Sequence, residues 1–152
     1  MLADMQLLLN KLREMKNAYE NAVRNGESTS FIRSKRLINL LHEYVIEELK
    51  KRVEPSWVVT DKKVYGFPKT KEQDIIVQPP QNGPYVSVGP IMAINVRSQL
   101  SSIDKNYDTL FERIFAEALN LHNRFPYMVL GCLYLLPKIG YDPEAAKKNR
   151  VV

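Results

Sequence analysis

Cysteine occurs once in this 152-residue chain, as Cys132, so no disulfide can close within it. The thiol sits inside the charge-free stretch 127–137, where a cysteine is expected to act as a small buried hydrophobe rather than as a nucleophile. Glycine is also scarce. The six residues form no cluster of the kind that cradles phosphates, which excludes a Gly-rich nucleotide loop. The two histidines, His42 and His122, fall on separate helical segments with no Cys or His at ligand spacing, so a zinc site is not expected. No uncharged run reaches the roughly 20 residues that a membrane-spanning helix needs. The start Met1-Leu2-Ala3-Asp4-Met5 lacks the basic residues and apolar block of a leader. These absences predict a cytoplasmic protein without a membrane partner.

What is present resembles an ordinary globular domain. Hydrophobic residues make up 45% and charged residues 26%, enough apolar material to bury a core and too little charge for a disordered chain. The net charge is +5, with basic clusters at Arg33 to Arg36, Lys50 to Arg52, Lys62-Lys63, Lys69 to Lys71 and Lys147 to Arg150. Such a field favours polyanions, because neutralising phosphates releases their counterions. Seventeen acids interspersed with these bases make simple solvated faces the competing reading.

Along the chain, Leu2, Met5, Leu9, Leu12, Tyr19 and Val23 recur at three-four spacing, which predicts an amphipathic first helix over 1–25 that stops at Gly26. A second helix is expected over 31–52, with Leu37, Leu40, Leu41, Tyr44, Val45 and Leu49 inward. At about 100° per residue, Glu48 falls within that stripe and needs a partner or a metal there. Short strands follow, at 57–59, 64–67, 74–77, 85–88 and 91–96, separated by Asp61-Lys62, Pro68, residues 79–84 and Gly89-Pro90. Residues 101–104 introduce a third helix with Tyr107, Leu110, Phe111, Ile114, Phe115, Ala118 and Leu121 inward. The uncharged 127–136 segment then reads as a strand buried on both faces. The expected fold is α+β (α/β), a mixed central sheet flanked by helices, with two helices before the sheet. It forms one domain over 1–152 with its core at 31–137. Residues 138–152 read as a tail or the start of a missing segment, because Asp142-Pro143-Glu144 announces a helix that soon ends.

Two of the strands carry polar groups among apolar ones. Asp74 lies in the first, and Asn95 and Arg97, which alternation places on one face, lie 21 and 23 residues later in the second. A helix, a strand meander bearing Asp, a strand bearing a polar-x-base triplet, a helix and a strand resemble the PD-(D/E)xK, or restriction-endonuclease-like, nuclease superfamily, of the type II restriction-enzyme kind, over roughly residues 31–137. In that resemblance Asp74 matches the aspartate, Asn95 and Arg97 the acid and lysine positions, and Gln99 a glutamine just beyond. Glu48 or Glu43 takes the place of the extra helical acid, and Ser101, Ser102, Lys105 and Asn106 match the DNA-contacting region at the strand exit.

The resemblance implies a Mg²⁺-dependent endodeoxyribonuclease (Mn²⁺ as substitute), with Asp74, Asn95 and a helical Glu as metal ligands. DNA is then the partner and a homodimer the assembly. Mg²⁺ wants oxygen ligands including one or two carboxylates, and it generates the attacking hydroxide. The triplet here is degenerate. Asp, Glu and Lys sum to −1, whereas Asp74, Asn95 and Arg97 sum to zero, and Arg97 stays protonated and cannot act as a base. The alternatives are a non-catalytic DNA-binding relative in which Asp74 and Arg97 pair, and an interaction module joined through the first helix.

Overall fold

A computed structural model of the chain describes residues 3–27, 35–80, 89–100 and 103–137. Helix α1 spans Met5–Arg24 and α2 spans Arg36–Lys50; a 3-10 turn at Pro55–Trp57 leads into β1 (Val58–Tyr65), β2 (Thr70–Val77) and β3 (Met92–Ser98). Helix α3 (Ile103–His122) crosses to β4 (Val129–Leu135). The four strands form one mixed sheet in the order β1-β2-β3-β4, antiparallel as far as β3, with β4 parallel to β3. This is the expected α+β arrangement, with two helices ahead of the sheet. The expected strand at 85–88 and the tail at 138–152 lie outside the described residues.

The Asp4 carboxylate caps α1 by accepting the Leu7 N–H at 2.9 Å, meeting one of the donors that a helix start leaves free. Its buried residues are Met15 and Ala22, flanked by the half-buried Leu8, Lys11, Leu12 and Ala18. This stripe is rotated from the expected one: Met5, Leu9, Tyr19 and Val23 are exposed. Ala22 is buried and Ala18 packs against the main core, although a sequence pattern that weights bulk gives alanines little weight. The helix runs antiparallel to α2, with Lys11 bonded to Glu43 at 2.6 Å, while Asp4 lies by Lys51 near the far end of α2.

The main core lies between the two helices and one face of the sheet, built on Leu37, Leu41, Val45, Ile75, Val77 and Val96. The other face holds Val64, Ile76, Ala93, Leu121 and Met128. Ile75 and Ile76 are adjacent and both fully enclosed, so β2 is covered on both sides, each side chain contributing about 2–3 kcal/mol relative to exposure.

Strand alternation shifts by one residue within the β1–β2 pair. Thr60 pairs with Ile75 and Val64 with Lys71 at one constant offset, the ladder skipping Asp61 and Asp74 between them, so strict alternation would place Val64 on the Ile75 face. Instead Val64 packs with Ile76. The irregularity centres on Asp61, at φ 48°, where a short polar side chain tolerates the left-handed region better than most at a cost of roughly 1 kcal/mol. Asp61-Lys62, expected to be a turn between two strands, is therefore a kink inside one strand.

Two further expectations are corrected. Helix α3 packs on the sheet chiefly through Ala118, Asn120 and Leu121 near its C-terminal end, leaving Phe111, Ile114 and Phe115 exposed; the Tyr107 side chain lies outside the described residues. Strand β4 is the outermost strand among the described residues and only partly covered, with Val129 and Cys132 exposed. Its lack of charge therefore does not mark a strand buried on both faces. No helix among the described residues is long and apolar enough to cross a membrane.

Candidate functional site

The Cα pairing of β2 with β3 runs from Val77↔Met92 to Ile75↔Ile94 and stops there. Beyond that point side chains replace the backbone ladder. The Val96 N–H donates to Asp74 Oδ2 at 2.8 Å, and the Asp74 N–H donates to Asn95 Oδ1 at 3.2 Å. Each strand thus satisfies the other's backbone donor with a carboxylate or amide oxygen, meeting the requirement that buried N–H groups find acceptors. The shift at Asp61 is what aims Asp74 into this seam, and Gln73 onto the side facing α3.

Arg97 Nη1 donates to the same Asp74 Oδ2 at 2.6 Å. Burial pushes the guanidinium towards its neutral form, but the hydrogen bond and charge of Asp74 outweigh it and hold the Arg97 pKa above its ordinary value. The Asn95 amide is spent on both ends: its Oδ1 on Asp74, its Nδ2 on Gln73 Oε1 at 2.8 Å and on Glu117 Oε2 at 3.3 Å. Gln73 is fully enclosed and Asn95 is buried, so a hydrogen-bonded polar network occupies the sheet on its α3 side. A small pocket of about 70 Å³ lies against it, bordered by Asn95, Glu117, Gly131 and Cys132. Partial desolvation pushes the Cys132 thiol up, away from the reactive thiolate.

From the opposite layer, His42 Nε2 on α2 reaches to 3.8 Å of Asp74 Oδ2. That is beyond hydrogen-bond length, and this solvent-shielded nitrogen has no hydrogen-bond partner among the described residues.

The structure brings Asp74, Asn95 and Arg97 together. The two helical acids lie elsewhere. Glu48 is buried as expected, but its carboxylate takes the Asp4 N–H at 3.2 Å, Lys51 Nζ at 2.8 Å and Arg52 Nη1 at 2.8 Å. Its side chain points to the start of α1 and not to the seam. Glu43 is exposed and bonded to Lys11. The Gln99 N–H donates to the Leu135 carbonyl at 3.0 Å, extending the β3–β4 pairing. Asn106 is half-buried on α3; Ser101, Ser102 and the Lys105 side chain lie outside the described residues.

His42, Gln73 and Glu117 were not anticipated. His42 was legible: Ile38, His42, Val45 and Leu49 share one helical face by three-four spacing. Gln73 and Glu117 carry no local signal, since their partners are 22 residues away in the chain.

Comparison with known proteins finds no match. Neither a family model, nor a curated protein, nor a solved structure is similar to this chain.

A divalent cation at this site would need open oxygen ligands. Asp74 Oδ2 and Asn95 Oδ1 are both already occupied by N–H donors, and a fixed cation sits 2.6 Å from the first of them. As arranged, the Arg97 guanidinium takes the place beside Asp74 Oδ2 that a cation would need.

Proposed function

We propose that this chain is a nucleic-acid-binding relative of the restriction-endonuclease-like nucleases, in which the metal position is closed by an internal ion pair. The observation that carries this reading is the 2.6 Å contact between Arg97 and Asp74. It places a positive charge against the carboxylate that the nuclease reading assigns to Mg²⁺. The order helix, three-strand antiparallel meander, helix and parallel fourth strand supports the family resemblance. The net charge of +5 supports a polyanionic partner. Asp74, Asn95 and Arg97 then hold β2 to β3 beyond the end of the backbone ladder, a mechanical use of positions that would otherwise serve chemistry. Of the apolar seam on which a homodimer through the first helix would draw, Met5, Leu9, Tyr19 and Val23 stand exposed, while the opposite stripe is packed against the main core.

The test is binding of duplex and single-stranded DNA across a salt series, with Mg²⁺ or with a chelator, and a plasmid-nicking assay on the same samples. Affinity that falls steeply with salt and is indifferent to Mg²⁺, without nicking, is the expected result. Mg²⁺-dependent nicking lost in Asp74→Ala would instead make the protein a nuclease, whose metal displaces Arg97. Absence of binding to any nucleic acid would sink the reading altogether.

A further inference from the structure

We propose that the tip of the β1–β2 hairpin is a contact site for single-stranded nucleic acid; this deepens the nucleic-acid-binding reading above and rests on it. From Lys62 to Lys71 the chain carries four lysines, two aromatics and no acid. Tyr65 and Phe67, on either side of Gly66, are each 65% exposed. Aromatic rings are usually the side chains that cores recruit first, so two of them left outward on one hairpin call for a partner with flat apolar faces.

The tip is held firmly. Asn120, buried near the end of α3, accepts the Lys69 N–H through its Oδ1 and donates its Nδ2 to the Lys69 carbonyl, both at 2.8 Å. The Phe67 N–H donates to the Asn120 carbonyl at 2.7 Å. The Gly66 N–H closes the hairpin on the Lys69 carbonyl at 3.1 Å. A Cβ at Gly66 would fall 2.3 Å from Asn120 Nδ2, so only glycine lets the helix end press against the turn. The two rings therefore stand on a fixed backbone, which lowers the entropy lost on binding.

Charge surrounds them. Lys63, Lys69 and Lys71 are exposed, and among the described residues none of the three is in an ion pair. Lys62 is tethered to Gln78 Oε1 at 2.9 Å, and Glu72 lies across the ladder from Lys63. Bases stack on aromatic faces while lysines follow the phosphates, the combination used by proteins that hold single strands with little sequence preference. A duplex keeps its base faces stacked inside, so it would engage the lysines but not the rings. An acidic peptide would likewise leave Tyr65 and Phe67 unused.

The test measures the anisotropy of labelled oligothymidylate, and of a duplex of equal length, with the full chain and with the Tyr65→Ala/Phe67→Ala double variant. Stacking on two rings predicts at least a tenfold loss of single-strand affinity in the variant, with duplex affinity changed much less and the circular dichroism spectrum unchanged. A Tyr65→Trp variant keeps single-strand affinity, and its added indole fluorescence is quenched by the oligonucleotide; this readout holds even if the double variant fails to fold. Wild-type binding of nucleic acid that is insensitive to the double substitution, with no quenching in the Tyr65→Trp variant, would overturn the hairpin site and leave the broader reading standing. If the wild type binds neither nucleic acid, both fall. Binding only to anionic phosphatidylserine vesicles would overturn the proposal and reassign the hairpin to a membrane surface.

Discussion

Arg97 and Val96 converge on one oxygen: the guanidinium at 2.6 Å and the backbone N–H at 2.8 Å both reach Asp74 Oδ2. Asp74 is thus at once an ion-pair partner and a substitute for a missing ladder carbonyl. Asp74→Ala orphans both donors, and the expected loss of stability in urea is about 2–3 kcal/mol. Arg97→Met removes the ion pair and a 3.3 Å bond to the Val96 carbonyl, and should cost about 1 kcal/mol, because a third of that side chain is exposed and its charge is screened. A double-mutant cycle should return a coupling near 1 kcal/mol. Zero coupling would mean that the contact has no energetic weight.

Writing an Asp-x-Lys triplet into β3 should open the position beside Asp74. Asn95→Asp with Arg97→Lys replaces a neutral amide and a fixed guanidinium by a carboxylate and a flexible amine beside Asp74. Calorimetry is expected to show a saturable Mg²⁺ heat in the double variant and none in the wild type. A wild-type signal equal to that of the variant would show that Arg97 does not close the site.

Asn120 and Gly66 form a second pair whose substitutions should not add. Asn120→Ala removes two side-chain hydrogen bonds and should destabilise the protein by about 2 kcal/mol, with the Lys69 amide exchanging faster with deuterium. Gly66→Ala in the wild type forces a methyl onto Asn120, at an expected cost of about 1–3 kcal/mol. In the Asn120→Ala background the same change should cost less, because only the clash with the backbone carbonyl of residue 120, 2.7 Å from the added Cβ, is left. Full additivity in thermal melts would contradict the contact.

Acid should unfold the protein partly through Glu48. The Lys51 hydrogen bond, helped by the Asp4 N–H and Arg52, holds its carboxyl below the usual glutamate range. A depressed pKa adds stability above the unfolded value of about 4.3 and loses it as pH falls through the lower folded value. Stability measured downward from pH 5 should therefore decline less steeply in Glu48→Gln than in the wild type. Parallel curves would show that Glu48 does not titrate with unfolding.

Much of this was legible in the sequence. Three-four periodicity located the three helices of the described residues, and the polar residues among apolar ones at Asp74, Asn95 and Arg97 marked two strands that do lie side by side. Glu48 could be read as an inward acid, but not which cations would meet it, because Lys51 and Arg52 look like an ordinary solvated helix end. The α1 stripe was misjudged by one position, since Ala18 and Ala22 weigh little in a pattern that scores bulk yet lie on the buried side. The kink at Asp61 resembled a turn because both need an Asp that tolerates unusual backbone angles. Asn120 was indistinct: its role exists only when a hairpin 51 residues earlier folds back onto it.

The one-residue shift in alternation has a consequence for how the two layers of the molecule are joined. A sheet ordinarily insulates what lies above it from what lies below, since each side chain belongs to one face. Asp74 belongs to neither: it lies in the plane, with His42 approaching from the side of the paired helices and Arg97 and Asn95 continuing towards Glu117 on the other. The carboxylate is a polar feedthrough in an otherwise apolar partition. A substitution at Asp74 would therefore be felt in both layers at once, beside His42 on one side and in the Asn95–Glu117 network on the other.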